Sequence, residues 1–234
     1  MSIAAHPDHV AVAVHDMDAA AKRWRDELGG GWLIPRHSEE AAPFATRQLR
    51  YPGGAKLELL EPTRPGFATA FLDRFGPRIH HITLKVGSLL PAVDALRDAD
   101  FDVVDVFTGD DEWHEAFLRP SQIGGVIVQI AWAPYDDAGW IERLQYEPES
   151  PAPHATRLLG PTLTHPDLGL ATDVWSTLGA TVDRDGDVLQ VTWGDHPLGV
   201  RIETGPSAGP VGLRFEDGPE LPADDVAGPA TLRG

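Results

Sequence analysis

An internal repeat limits the fold of this chain more than any other feature. Residues 8–16 read DHVAVAVHD and residues 80–88 read HHITLKVGS. Both alternate in the manner of a strand with one buried face. Val10, Val12 and Val14 share a face of the first, Ile82, Leu84 and Val86 match them in the second, and His81 takes the place of His9. A helix signal follows each strand. MDAAAKRWRDELGG has Asp16 or Asp18 as its cap and ends on glycines, and LLPAVDALRDADF has Ser88 as its cap. ATRQLRY, a PGG turn and AKLELLEP then read as a hairpin, as do HEAFLRP, SQIGG and VIVQIAW. Each unit is a strand, a helix and about three further strands.

Subtraction supports the register. His9 and His81 are 72 positions apart, Glu58 and Gln129 are 71, and both latter residues interrupt an apolar last strand, KLELL or VIVQI. A third, degraded copy follows a Pro/Glu-rich boundary, YEPESPAPHA. RLLGPTLTHPD resembles the first strand and LGLATDVWSTLGA its helix; aligning Asp167 with Asp16 puts Gly160 where His9 stands. The expected organisation is α+β: a βαβββ module at 1–70, a second at 77–135, a degenerate third at 156–217, and a Pro/Gly/Asp-rich tail at 218–234 expected to be mobile.

The formal net charge of −17 repels phosphate backbones and anionic lipid, so neither nucleic acid nor a membrane surface is an expected partner. With no cysteine, disulfides, thiolate catalysis and iron–sulfur chemistry are excluded, and any metal must be held by His, Asp, Glu or Gln. No run approaches the ~18 apolar residues of a membrane span, and the N-terminus lacks a leader pattern. The expectation is a cytoplasmic protein, monomer or homodimer, acting on a small molecule.

His9 and His81 begin equivalent strands, and Glu58 and Gln129 lie in equivalent last strands. Packed about a pseudo-twofold axis, two modules bring all four into one cleft. Two imidazoles, one carboxylate and one amide suit one divalent ion: Zn, Mn, Co, Ni or Fe(II). Taken singly, each residue reads better as solvent-facing or locally bonded than as a ligand; the paired spacing favours the metal.

At this point the sequence resembles the vicinal-oxygen-chelate superfamily of glyoxalases, bleomycin-resistance proteins and dioxygenases, and within it methylmalonyl-CoA epimerase-like proteins. The resemblance covers about residues 6–133. It rests on DHVAVAV with its helix ending LGG, on KLELLEP, on IHHITLKV and on GGVIVQIA. It implies paired βαβββ modules around a cupped mixed sheet, with His9, Glu58, His81 and Gln129 at the ligand positions and His80 facing the other way. The chain departs from those epimerases in carrying Gln129 where they have a glutamate, in matching their proton-transfer acid only loosely at Glu39 or Glu40, and in its third module.

The chemistry implied is stabilisation of negative charge on a carbonyl oxygen as a proton leaves the neighbouring carbon. Glu39, Glu40 and Glu115 are the candidate bases, with His114 as the imidazole alternative or a histidine on a solvated loop. Arg47, Arg50 and Arg119 either bind a substrate carboxylate or phosphate or pair with surface acids. Trp113 either lines the cleft or packs. Three functions compete: a metal-dependent isomerase, epimerase or lyase on a small α-carbonyl compound, an acyl-CoA among them; a non-haem Fe(II) dioxygenase; and a small-molecule or antibiotic-binding resistance protein.

Overall fold

The structure, a computed structural model, describes residues 2–38, 40 and 42–234. Its strands form two sheets of mixed direction. The chain divides into two compact units. One holds the segment ending at His9 with His81–Asp136 and Gly160–Val211; the other holds Val10–His80, Asp137–Leu159 and Gly212–Gly234.

The first module has β1 (Ala5–Ala13), α1 (Met17–Ala21), two-residue strands β2 (Gly31–Trp32) and β3 (His37–Ser38), β4 (Phe44–Arg50) and β5 (Lys56–Pro62). Asp16 is the helix cap, its Oδ1 accepting from the Ala19 amide at 2.9 Å. After α1 the helix widens into a π turn over Lys22–Glu27. Trp24 is fully buried there, and the hydroxyl of buried Tyr51 donates to its carbonyl at 2.7 Å. The PGG turn makes the expected hairpin, with Gly53 and Gly54 at φ 86° and 94°, a region closed to most side chains. β4 and β5 pair antiparallel and β1 lies parallel beside β5. A helix outside the expected modules, α2 (Phe67–Phe75), lays Ala68 and Leu72 on Ala13 and Leu60.

The second module has β6 (Arg78–Val86), α3 (Leu89–Asp98), β7 (Val103–Phe107), β8 (His114–Leu118), a one-turn α4 (Pro120–Ile123) and β9 (Ile127–Trp132). β7, β8 and β9 are antiparallel neighbours and β6 runs parallel to β9. Ser88 stands at the expected cap position but makes no side-chain capping bond. A further helix, α5 (Asp137–Leu144), buries none of its residues.

β10 (Leu158–His165), α6 (Leu168–Thr177), β11 (Thr181–Asp185), β12 (Val188–Thr192) and β13 (Val200–Thr204) repeat the plan, with β10 parallel to β13. Asp167 caps α6 as Asp16 caps α1, its Oδ1 accepting from the amide three residues on at 3.0 Å. β14 (Gly209–Phe215) is then paired in parallel with β15 (Ala230–Arg233). The tail expected to be mobile thus ends in a hydrogen-bonded strand. Arg23 also donates to the Pro229 carbonyl at 3.1 Å and the Trp24 indole to that of Ala227 at 2.9 Å. The Pro/Glu-rich boundary is likewise tied down: Glu149 takes the Trp32 carbonyl at 2.8 Å through its amide and Arg25 at 2.9 Å through its carboxylate.

Candidate metal centre

Strand register decides which side chains meet. Thr83 is opposite Gln129 in the β6–β9 pair, and Phe117 is opposite Gln129 in the β8–β9 pair. Side chains alternate along a strand, so His81, Thr83 and Lys85 share the face of Gln129, as does Glu115 on β8. Ile82, Leu84, Val128 and Ile130 fill the opposite, apolar face.

A chain of hydrogen bonds links the polar face. Thr83 Oγ1 donates to Gln129 Oε1 at 2.6 Å, and Gln129 Nε2 donates to Glu115 Oε2 at 2.6 Å. The Trp113 indole donates to the same Glu115 oxygen at 3.0 Å. His9 Nε2 lies 3.0 Å from Thr83 Oγ1, and its Nδ1 lies 2.7 Å from Asp8 Oδ2. The rings of His9 and His81 meet edge to face with centroids 5.6 Å apart. Thr83 is fully buried, and Asp8, His9, His81 and Gln129 are nearly so.

Glu58 is set by β1. It is opposite Ala11, which shares a strand face with His9 two residues earlier. The amide of Gln48, directly across the β4–β5 pair, donates to its Oε2 at 3.3 Å. His9, Glu58 and His81 each offer one ligand atom, all within 4.8 Å of one another, and all three residues are buried. This donor set fits a borderline divalent ion: two imidazoles and a carboxylate leave positions for an amide oxygen, water or substrate. The carboxylate on the far nitrogen of His9 is the partner that metal-binding imidazoles ordinarily have.

The remaining expected residues are less concentrated. Trp113 and Glu115 stand at the edge of this face. His114 lies on the other face of β8, its ring 4.6 Å from that of Trp132 and its Nε2 2.7 Å from the Asp110 carbonyl. Arg47 lies on the face of β4 away from Glu58 and stacks on Trp32 at 3.8 Å. Arg50 shares the face of Gln48, two residues further on. Arg119 is exposed and pairs with Asp102 at 3.0 Å. Glu40 is exposed, its backbone carbonyl taking Arg64 at 2.7 Å, and Glu39 lies outside the described residues. His80 packs against Phe67 and Phe71, with centroids 5.7 and 4.6 Å away. Burial lowers its pKa to about 4, against the opposing pull of the Glu58 charge.

Asp8, Thr83 and Gln48 did not emerge from the sequence. Same-face spacing from His81 was the available signal for Thr83, and the DH dipeptide for Asp8. In the third module the register places Thr162 opposite Arg201, as Ala11 is opposite Glu58, so Gly160 and Arg201 occupy the ligand positions. Gly160 sits at φ 109°, and a Cβ there would collide with the Gly199 carbonyl. That backbone contact closes the position to a histidine, so the third module has no place for the ligand set.

Residues 8–117 match the family described as the Glyoxalase/Bleomycin resistance protein/Dioxygenase superfamily. An ethylmalonyl-CoA/methylmalonyl-CoA epimerase of Cereibacter sphaeroides is 33% identical over 129 residues, covering 53% of this chain and 94% of that protein. Among solved structures, the methylmalonyl-CoA epimerase of Mycobacterium tuberculosis is 25% identical, with a TM-score of 0.50, over 56% of this chain and 89% of its own. A hypothetical protein from Staphylococcus aureus shares the fold over 99% of both chains, with a TM-score of 0.70 at 11% identity. The repeated βαβββ modules and these likenesses agree: the chain belongs to the glyoxalase/bleomycin resistance protein/dioxygenase superfamily, the vicinal-oxygen-chelate proteins.

Proposed function

We propose that this chain is a metal-dependent isomerase, epimerase or lyase that moves a proton at the carbon next to a carbonyl, on a small acyl compound such as an acyl-CoA thioester. The observation that carries this reading is the buried His9, Glu58 and His81 set, with ligand atoms within 4.8 Å of one another. The name of the Cereibacter sphaeroides relative supports the acyl-CoA class.

His9, Glu58 and His81 would hold the ion, with the Gln129 oxygen beside them. When bound, the ion supplies Lewis acidity to substrate oxygens. Gln129 cannot turn its amide over, because its nitrogen is held by Glu115 and its oxygen by Thr83. Glu115 is the carboxylate on this face that receives the proton. As the C–H bond breaks, its electron pair moves towards the carbonyl oxygen and the proton passes to the Glu115 carboxylate. Delivery of a proton to the opposite face of that carbon completes an epimerisation, and delivery to a different atom of the enolate an isomerisation; loss of a β-substituent completes elimination. The Trp113 indole holds Glu115 in place at 3.0 Å.

The test is deuterium incorporation at the α-carbon of methylmalonyl-CoA and ethylmalonyl-CoA in D2O, followed by proton NMR with protein loaded in turn with Co, Mn, Ni and Zn. Exchange that falls at least ~100-fold in Glu115→Gln is expected for a lost general base. No exchange with any ion and either thioester overturns the acyl-CoA reading.

A second reading has its own observation: two histidines and one carboxylate also make the set used by non-haem iron oxygenases. Iron-dependent oxygen consumption with a catechol would favour it over proton transfer.

A further inference from the structure

We infer that Asp8 is a positioning residue for the metal: it fixes the tautomer and orientation of the His9 ring, and Lys85 holds Asp8 in turn. The inference rests on the metal reading above and concerns how the site is built.

The geometry lies within one compact unit. Asp8 and His9 are neighbours on β1, where successive side chains ordinarily point to opposite faces. Here the Asp8 carboxylate reaches round to the His9 ring, 2.7 Å from Nδ1. Its other oxygen lies 3.5 Å from Lys85 Nζ, and Lys85 also donates to the Tyr135 carbonyl at 3.3 Å. The side chains of Asp8 and Lys85 are only 9% and 12% exposed. A carboxylate so withdrawn from water has no solvation reason to be there.

A neutral imidazole has one N–H and one lone pair, and only the lone pair can bind a metal. A carboxylate accepts and never donates when ionised, so Asp8 Oδ2 requires the His9 proton on Nδ1. That leaves the Nε2 lone pair for a metal, and because the one Thr83 hydroxyl proton goes to Gln129 Oε1, Thr83 does not compete for that lone pair. Without Asp8 the ring can adopt either tautomer and turn about its Cβ–Cγ bond, so part of the apo population cannot bind. Partners of this kind typically contribute 10–100-fold to metal affinity. Lys85 shares the strand face of Gln129 and approaches the Asp8 oxygen that His9 does not use, offsetting the carboxylate's charge.

The experiment uses the full chain stripped with chelator, Co(II) as the probe, and two readouts. Calorimetric titration gives the Co(II) affinity of wild type, Asp8→Ala, Asp8→Asn and Lys85→Met. Long-range ¹H–¹⁵N spectra of the metal-free proteins report which His9 nitrogen is protonated. The expected result is a 10–100-fold weaker Kd in Asp8→Ala, with His9 shifting from a single Nδ1–H form to a tautomer mixture. Asp8→Asn, whose amide oxygen still accepts, retains the tautomer and loses less affinity; Lys85→Met loses least. A merely structural Asp8 would lower the melting temperature of the apo protein and leave the His9 spectrum unchanged. Equal Kd values for wild type and Asp8→Ala overturn the inference while leaving the metal reading intact. A wild type that binds no Co(II) overturns both.

Discussion

Gln129 is the one site residue whose identity the surrounding hydrogen bonds dictate, and replacing it with glutamate has a calculable cost. The amide accepts from Thr83 and donates to Glu115 at 2.6 Å each. Gln129→Glu keeps the acceptor but sets a carboxylate oxygen against Glu115 Oε2. Two unit charges that close repel by about 6 kcal/mol at an effective dielectric constant of 20. The pair escapes by sharing one proton. Holding a proton on a group of ordinary pKa near 4.3 costs about 4 kcal/mol at pH 7, which is the smaller figure and sets the loss. The sign follows from linkage. The shared proton raises the folded-state pKa above the unfolded one, so the folded protein binds more protons and stability falls as pH rises. Urea unfolding of metal-free protein should show Gln129→Glu about 4 kcal/mol less stable at pH 7, with the deficit shrinking by about 1.4 kcal/mol per pH unit towards pH 4.5. Adding Glu115→Gln removes the repulsion but sets an amide N–H against the Trp113 indole N–H that shared Oε2, so it should abolish the pH dependence and recover only part of the loss. A deficit under about 1 kcal/mol at pH 7, or one without pH dependence, would refute the reasoning.

Three further outcomes follow from the fold. Trp24 and Trp175 are both fully buried, yet the Trp24 indole donates to Ala227 and the Trp175 indole has no partner among the described residues. Trp24→Phe should therefore cost about 2–4 kcal/mol more than Trp175→Phe in denaturant unfolding; equal costs would show that the Trp175 N–H is satisfied by a bound water. Gly160→Ala should destabilise by more than about 3 kcal/mol in the same assay, because its Cβ would meet the Gly199 carbonyl at a φ that only glycine tolerates; a loss under about 1 kcal/mol would contradict that contact. The hydrogen bond from Arg25 holds the Glu149 carboxyl below its usual pKa. Its contribution is present above about pH 4.5 and is lost as pH falls through the lowered value. Both side chains are 41% exposed, so the effect should stay below about 1 kcal/mol and vanish in Glu149→Gln. A carbon-detected titration of Glu149 giving an ordinary pKa would contradict it.

The sequence made the repeated modules legible because their periodicity is local. Alternating apolar residues, an aspartate or serine before each helix and a polar residue inside an apolar last strand are all visible within a few residues. Asp16 and Asp167 cap their helices by the same bond, and that local signal is what set the alignment placing Gly160 at the His9 position. The grouping of His9, Glu58 and His81 was legible through pairing across the repeat. Its supporting residues were not, because they depend on strand register. Thr83 matters only once β6 is known to run parallel to β9 with Thr83 opposite Gln129, and Gln48 only through its place across from Glu58. Asp8 was hidden because strand alternation predicts that it points away from His9. The tail's contacts were not legible: Arg23 and Trp24 donate to its Pro229 and Ala227 carbonyls and β15 pairs with β14, which a Pro, Gly and Asp composition does not reveal. The helix α2 was not read from the sequence, although Phe67, Phe71 and Phe75 are spaced at a helical period.

The measurement that tests the central claim most directly is the metal content of the purified protein by inductively coupled plasma mass spectrometry, before and after equilibration with each candidate ion, for wild type, His81→Ala and Glu58→Ala. The account predicts one equivalent of a divalent transition metal in wild type and its loss in both variants while they stay folded. A wild type that holds no metal after equilibration, or variants that keep the full equivalent, would contradict it.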